Sequence, residues 1–140
     1  MKEKEEAQSF EETTYWVFKI GEKDFLLSVE QIREVIEVSD FFSIPLAPEY
    51  VCGVISLHGR VIPAIDLSKI YPTGKPLYHG IKLIVVDVEV KLMRETINES
   101  IGFLSEILPY PTEFSSDISP EDLIDVNRFF QDFSVKDMQL

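Results

Sequence analysis

From Tyr15 the chain alternates apolar and polar positions with a period of two, the signature of a strand with one face buried. In "YWVFKI", Trp16, Phe18 and Ile20 project one way and Tyr15, Val17 and Lys19 the other. "GEKD" then turns the chain into "FLLSV", which predicts a hairpin. Ser28 followed three residues later by Gln31 fits a capping box, predicting a helical turn through Val29 and Ile32. "EVIEV" resumes the extended pattern and leads into the loop "SIPLAPEY", where Pro48 is placed to open another short helical turn. Next comes "VCGVISLHGRVIPAIDL", residues 51–67, two apolar arms around His58-Gly59. A two-residue connection ending in glycine suits a tight hairpin turn, because glycine accepts positive φ without a Cβ clash. Pro63 lacks an N–H, which confines the second arm to an edge, a bulge or an irregular pairing.

"DLSKIY" predicts a brief helical segment, and "YPTGKP" is punctuation. "GIKLIVVDVEV", rich in β-branched residues, is the strongest strand, and "KLMRETINES" separates it from a further strand, "IGFLSEIL". In "SPEDLIDVNRFF", Ser119, Pro120 and Asp122 suit the cap, first turn and closing residue of a helix. Short echoes ("IDLSKIY" with "QDFSVKDMQL", "DFLLS" with "GFLSE") suggest two similar halves, each closing a small barrel. Many short strands with no βαβ rhythm indicate a mostly antiparallel β protein. The charged, aperiodic residues 1–13 read as a flexible acidic tail, leaving residues 14–140 as one folded unit.

Composition narrows the role. The 140 residues are 45% hydrophobic with a formal charge of −12, which disfavours nucleic acid and anionic membrane and favours partners that are basic or apolar at the contact. Cys52 is the only cysteine, so no internal disulfide forms and a reducing, cytoplasmic compartment is expected. The charged N-terminus has no apolar region of a secretory signal, and no apolar run approaches the ~20 residues of a membrane helix.

Catalytic constellations are sparse. Cys52, His58 and Asp66 together would be a Cys/His hydrolase. The plainer reading makes Cys52 a small buried residue, His58 a turn residue and Asp66 a local cap. His79 has no ligand-spaced partner, and with no H-E-x-x-H and no cysteine pair a metal site is not expected. Glycines are too few and misplaced for a dinucleotide or P-loop fingerprint, so no cofactor is expected. Asp117, Glu121, Asp122 and Asp125 miss the EF-hand spacing and read as a solvated acidic face. What remains is a binding module. Gly53 either admits a closely approaching backbone or relieves crowding in a bent strand.

The blocks "YWVFKIGEKDFLLSVEQIREVIEV", "IPLAPEYVCGVISLHGRVIPAIDL" and "IGFLSEIL" resemble the CheW family of bacterial chemotaxis adaptors. Val29, Ile32, Glu34 and Val35 stand at the family's V-x-x-V-x-E-V motif. Gly53-Val54-Ile55-Ser56-Leu57 and Gly59-Arg60-Val61-Ile62-Pro63 stand at its G-V-I-x-L-R-G-x-V-I-P motif, and Gly102-Phe103-Leu104 at a later Gly-apolar-apolar strand. The match runs from about Tyr15 to Leu108. It implies two intertwined five-stranded SH3-like barrels with short helices and no catalytic activity. It also implies a bridging role between the cytoplasmic tips of chemoreceptors and the regulatory domain of the histidine kinase CheA. One barrel end meets the kinase domain, and the groove between barrels takes the receptor's helical hairpin. The partner-binding residues carried over are Ile32, Glu34, Gly53, Val54, His58, Gly59, Arg60 and Gly102.

Two departures stand out. The family usually has arginine just before the turn glycine, where this chain has His58, so a permanent cation is replaced by an imidazole. Arg60, two positions on, supplies a charge from a different starting point. The end, "SPEDLIDVNRFFQDFSVKDMQL", lacks the family's glycine-marked hairpin and its L-D-x-x-x-L-L ending, so the second barrel is expected to be shortened or closed by a helix. The alternative to receptor coupling is a divergent module that binds another CheW-like domain.

Overall fold

The computed structural model describes residues 15–38, 40–76, 81–91, 93–112 and 120–133. The acidic tail, His79, Asp117 and Ser119 lie outside them. As expected, the fold is mostly β; where two five-stranded barrels are expected, the described strands form two sheets, one of five strands and one of three. Strands β1 (Tyr15–Ile20), β2 (Lys23–Ser28) and β8 (Tyr110–Thr112) form a three-stranded sheet in the order β2-β1-β8. Strands β3 (Ile32–Glu37), β4 (Val51–Leu57), β5 (Arg60–Ile65), β6 (Lys82–Lys91) and β7 (Thr96–Ser105) form a five-stranded sheet in the order β3-β6-β7-β5-β4. The α-helix among the described residues, α1 (Val126–Asp132), packs against β6.

The five-stranded sheet curls around its own interior. Every one of its strands contributes to one apolar cluster: Leu83 and Val85 from β6, Leu104 from β7, Ile62 and Ala64 from β5, Ile55 from β4 and the half-buried Ile36 from β3. Its other face meets the smaller sheet in a second cluster. There Phe18 stacks on Phe103 with ring centroids 6.3 Å apart, and Phe129 of α1 meets Phe103 edge-on at 5.2 Å. β1 is therefore buried on both faces at Val17 and Phe18, which simple alternation does not anticipate.

Several local expectations are revised. A 3-10 turn does follow Ser28, at Val29–Gln31, but the Ser28 side chain makes no capping bond. Pro48 does open a single turn, with the Val51 N–H donating to its carbonyl (3.0 Å). β7 begins at Thr96, so half of the presumed separator "KLMRETINES" is strand. The polar face of that half hides its β character. The C-terminal helix starts at Val126 with Asp125 as its cap, accepting from the Arg128 N–H at 3.1 Å, while Pro120–Asp122 form a separate 3-10 turn.

Pro63 is neither at an edge nor in a bulge: β5 is an interior strand. It pairs with Val54, whose N–H and C=O both turn away to bond Phe42 (2.8 and 2.9 Å). In an antiparallel ladder that makes Val54–Pro63 a non-hydrogen-bonded pair, so the missing N–H leaves β4 nothing to lose. On its other side the pairing with β7 begins only at Ala64.

Candidate functional site

The hairpin of β4 and β5 turns at His58 (φ 51°) and Gly59 (φ 76°). Positive φ at both central residues is the type I′ arrangement, whose twist matches that of the flanking strands. The turn throws the His58 side chain into solvent, and its Nε2 comes to 3.2 and 3.3 Å from the two carboxylate oxygens of Glu34 on β3. β3 and β4 are the opposite edges of the sheet, so this pair spans the mouth of the curled layer. Ile32, at the start of β3, is half-buried against the core and opposes Val86.

Arg60 reaches in another direction. Its guanidinium donates to the Asn98 carbonyl of β7 at 3.2 Å, beyond the Ala64–Gly102 and Ile65–Phe103 pairs that join β5 to β7. The charge that follows the turn thus covers a strand edge and does not stand beside His58. On the other side of the same β6–β7 ribbon, the Asn127 side chain of α1 accepts from the Glu89 N–H at 3.0 Å. Both flanks of the ribbon are covered by side chains.

Gly53, Val54 and Gly102 are buried. Gly53 follows a bulge at Cys52, with φ 154°, and a Cβ there would lie 2.7 Å from the Phe42 oxygen and 2.8 Å from the Phe41 Cβ. A backbone does approach it closely, and it is this chain's own segment 41–42. A Cβ at Gly102 would meet Leu83 side-chain atoms at 2.6 Å. Gly59 faces open space. Of the eight residues, the structure brings Glu34, His58, Gly59 and Arg60 to the surface around one hairpin and uses Gly53, Val54 and Gly102 inside the fold.

Exposed apolar side chains gather on the segment between β3 and β4, a signal that the sequence motifs did not pick out. Phe42 is 71% exposed although its backbone is bonded to Val54. Leu46 is fully exposed and sits at φ 63°, a left-handed conformation that costs a branched residue about 1 kcal/mol or more. An exposed, strained leucine is a feature with no benefit to the isolated fold.

The hydrolase constellation is not assembled. Cys52 and His58 lie at opposite ends of β4, separated by six residues at about 3.3 Å each. Although Cys52 is exposed as a residue, burial of its thiol, and then the Asp66 carboxylate, push its pKa up to about 11 against the opposing charge of Lys69. The thiol is protonated at neutral pH and is a poor nucleophile. Asp66 is the local cap, accepting from the Ser68 N–H (2.9 Å) and Ser68 hydroxyl (2.6 Å). Among the described residues no group of three His, Cys, Asp or Glu is arranged to hold a metal ion, and no helix is long and apolar enough to cross a membrane.

The two-sheet β scaffold thus turns the residues of one hairpin and an apolar loop outward. The sequence profile of the CheW-like domain matches residues 14–114, and the chain belongs to that family. It is 31% identical over 107 residues to a probable chemotaxis protein CheW of Rhizobium etli, covering 72% of this chain and 68% of that one. It is 32% identical over 98 residues to the chemotaxis protein CheW of Thermotoga maritima, covering 70% and 60%. The crystal structure of the scaffolding protein TtCheW from Thermoanaerobacter tengcongensis superposes with a TM-score of 0.60 at 24% identity, over 75% of this chain and 64% of that one, and shares the fold. The chain thus spans about two thirds of the length of these relatives. The family consists of non-catalytic chemotaxis adaptors, and this protein is an adaptor and not an enzyme.

Proposed function

We propose that this adaptor couples the cytoplasmic tip of a chemoreceptor to the regulatory domain of the histidine kinase CheA. Membership of the CheW-like family carries the reading. The surface supports it: the β3–β4 segment offers Phe42 and Leu46 as apolar anchors for a β-barrel partner, and such buried anchors supply most of the energy of a protein interface. The hairpin around His58, with Glu34 and Arg60, is the polar surface nearest the family's receptor-coupling arginine position. A cytoplasmic location follows from these partners.

The second reading, a module that binds another CheW-like domain without receptor coupling, draws on one observation: His58 is engaged by Glu34 where the family carries a permanent cation. Co-sedimentation with receptor-bearing membranes and kinase, compared between the natural protein and His58→Arg, tests the pair. The adaptor reading expects both proteins to pellet with the complex, the arginine form more strongly. Absence of both from the receptor pellet, with kinase-domain binding intact, selects the second reading.

A further inference from the structure

A recess of about 500 Å³ opens between β2, the turn after β5 and α1, on the side of the molecule built from the smaller sheet and the helix. Its floor is aromatic. Phe25 and Tyr71 meet at 5.9 Å and Phe129 and Phe133 at 4.6 Å. Its rim is acidic: Glu121, Asp122, Asp125 and Asp132 stand against two cations, Lys23 and Arg128. Both cations are drawn onto the rim itself, Lys23 to Asp122 at 3.0 Å and Arg128 to Asp132 at 3.4 Å, and Lys23 also lies 5.4 Å from the centre of the Phe25 ring. The rim therefore already holds cations by carboxylate contact and over an aromatic face, and its described lining carries four carboxylates to two cations.

We propose that this recess docks a lysine- or arginine-bearing amphipathic segment of a partner protein. The aliphatic part of the segment lies on the aromatic floor and its cationic heads reach the carboxylate rim. Charge complementarity selects this occupant. An aromatic floor alone takes any apolar group, but an acidic segment is repelled by the rim and by a chain of net charge −12. A long basic side chain satisfies both layers, its stem covering rings while its head stays in the wet rim. Tyr71 reports the same environment: burial first, and then Asp132, push its phenol above the usual range against the opposing charge of Lys23. The recess adjoins the end of the β3–β4 segment, where Tyr50 meets Phe133 edge-on at 5.6 Å, but none of Phe42, Leu46, Glu34, His58 or Arg60 lines it, so the proposal does not depend on the kinase and receptor reading.

The test uses the full chain and a labelled leucine/lysine amphipathic peptide, with a leucine/glutamate peptide of the same pattern as control. The lysine peptide is expected to bind, with affinity falling as salt is added, and the glutamate peptide to show none. Asp122→Lys with Asp132→Lys should weaken binding at least tenfold. Asp40→Lys with Glu95→Lys, the same change of net charge away from the recess, should weaken it less than threefold. Arg128→Ala, which removes a competing cation, should tighten binding severalfold, an effect that mere damage to α1 does not produce. Equal weakening by the two double variants would reduce the effect to overall charge and overturn the proposal. So would tighter binding after removal of residues 134–140, which would make the chain's own end the occupant. Loss of a dimer in the recess variant would do the same, making a second copy the occupant.

Discussion

His58 on the β4–β5 turn and Glu34 on β3 are joined side chain to side chain, Nε2 to Oε1 at 3.2 Å, although β4 and β3 are the two outermost strands of a five-stranded sheet. The contact exists because the sheet curls around the cluster of Ile36, Leu83, Ile62 and Ile55, which carries its edges toward each other. The pair spans the opening between them but does not hold the sheet closed. At 70% and 30% side-chain exposure it is worth at most about 1 kcal/mol. A double-mutant cycle with Glu34→Gln and His58→Ala, followed by urea unfolding, should give a coupling energy within that bound. A coupling of several kcal/mol would mean that the pair is part of what folds the sheet.

The three glycines of the central motifs should separate cleanly in stability. Gly59→Ala meets no atom and carries only the left-handed backbone penalty of about 1–2 kcal/mol. Gly53→Ala adds a clash with the Phe41–Phe42 segment to an unfavourable φ, and about 3 kcal/mol or more is expected. Gly102→Ala drives a methyl into the fully buried Leu83 and should cost about 1–3 kcal/mol. Thermal melts that rank Gly59→Ala as the most damaging would contradict this assignment of roles.

Cys52 should resist alkylation. With its pKa pushed up to about 11, the thiol holds on the order of a hundredfold less thiolate at pH 8 than an ordinary one, and iodoacetamide should react correspondingly slowly. Because the folded state keeps the proton to higher pH than the unfolded state, stability should fall as pH rises between about 9 and 11. Asp66→Asn removes one of the two causes and should move the alkylation profile to lower pH, leaving burial to hold it above the ordinary value. A rapid, labelled thiol at pH 7 would revive the nucleophile reading.

The flank of β6 beyond its pairing with β3 is covered by one amide, the Asn127 carbonyl oxygen that accepts from Glu89. Asn127→Ala should cost about 0.5–1.5 kcal/mol and speed hydrogen exchange at the Glu89 amide in particular. Unchanged exchange there would remove Asn127 from this role.

Much of this architecture is legible along the chain, and the parts that are not have identifiable physical reasons. The β-branched run of β6 and the His58-Gly59 turn declare themselves through local propensity and turn chemistry, and Asp66 through its Ser68 partner two residues away. Pro63 misleads because the benign position it occupies depends on Phe42 turning both bonds of Val54 outward, a relationship between segments far apart in sequence. The helix begins at Val126 under an Asp125 cap, where burial of Val126, Phe129 and Phe130 sets in, and the cap chemistry of the preceding residues does not reveal that start by itself. The family motif locates His58, Glu34 and Arg60, but not that Arg60 turns to β7. Phe42 and Leu46 carry no motif, and only their exposure in the folded chain singles them out.

Leu46 offers a sharp contrast between stability and binding. Leu46→Gly relieves a left-handed leucine and should raise stability by about 1 kcal/mol, while removing an anchor from the proposed kinase-facing segment. The account is tested most directly by isothermal titration of the full chain with the CheA regulatory domain and, separately, with a receptor signalling fragment. It predicts saturable binding to both, with the kinase-domain affinity lowered at least tenfold by Phe42→Ala with Leu46→Gly in a protein that melts no earlier than the natural one. No heat of binding to either partner from a fully folded sample would contradict it.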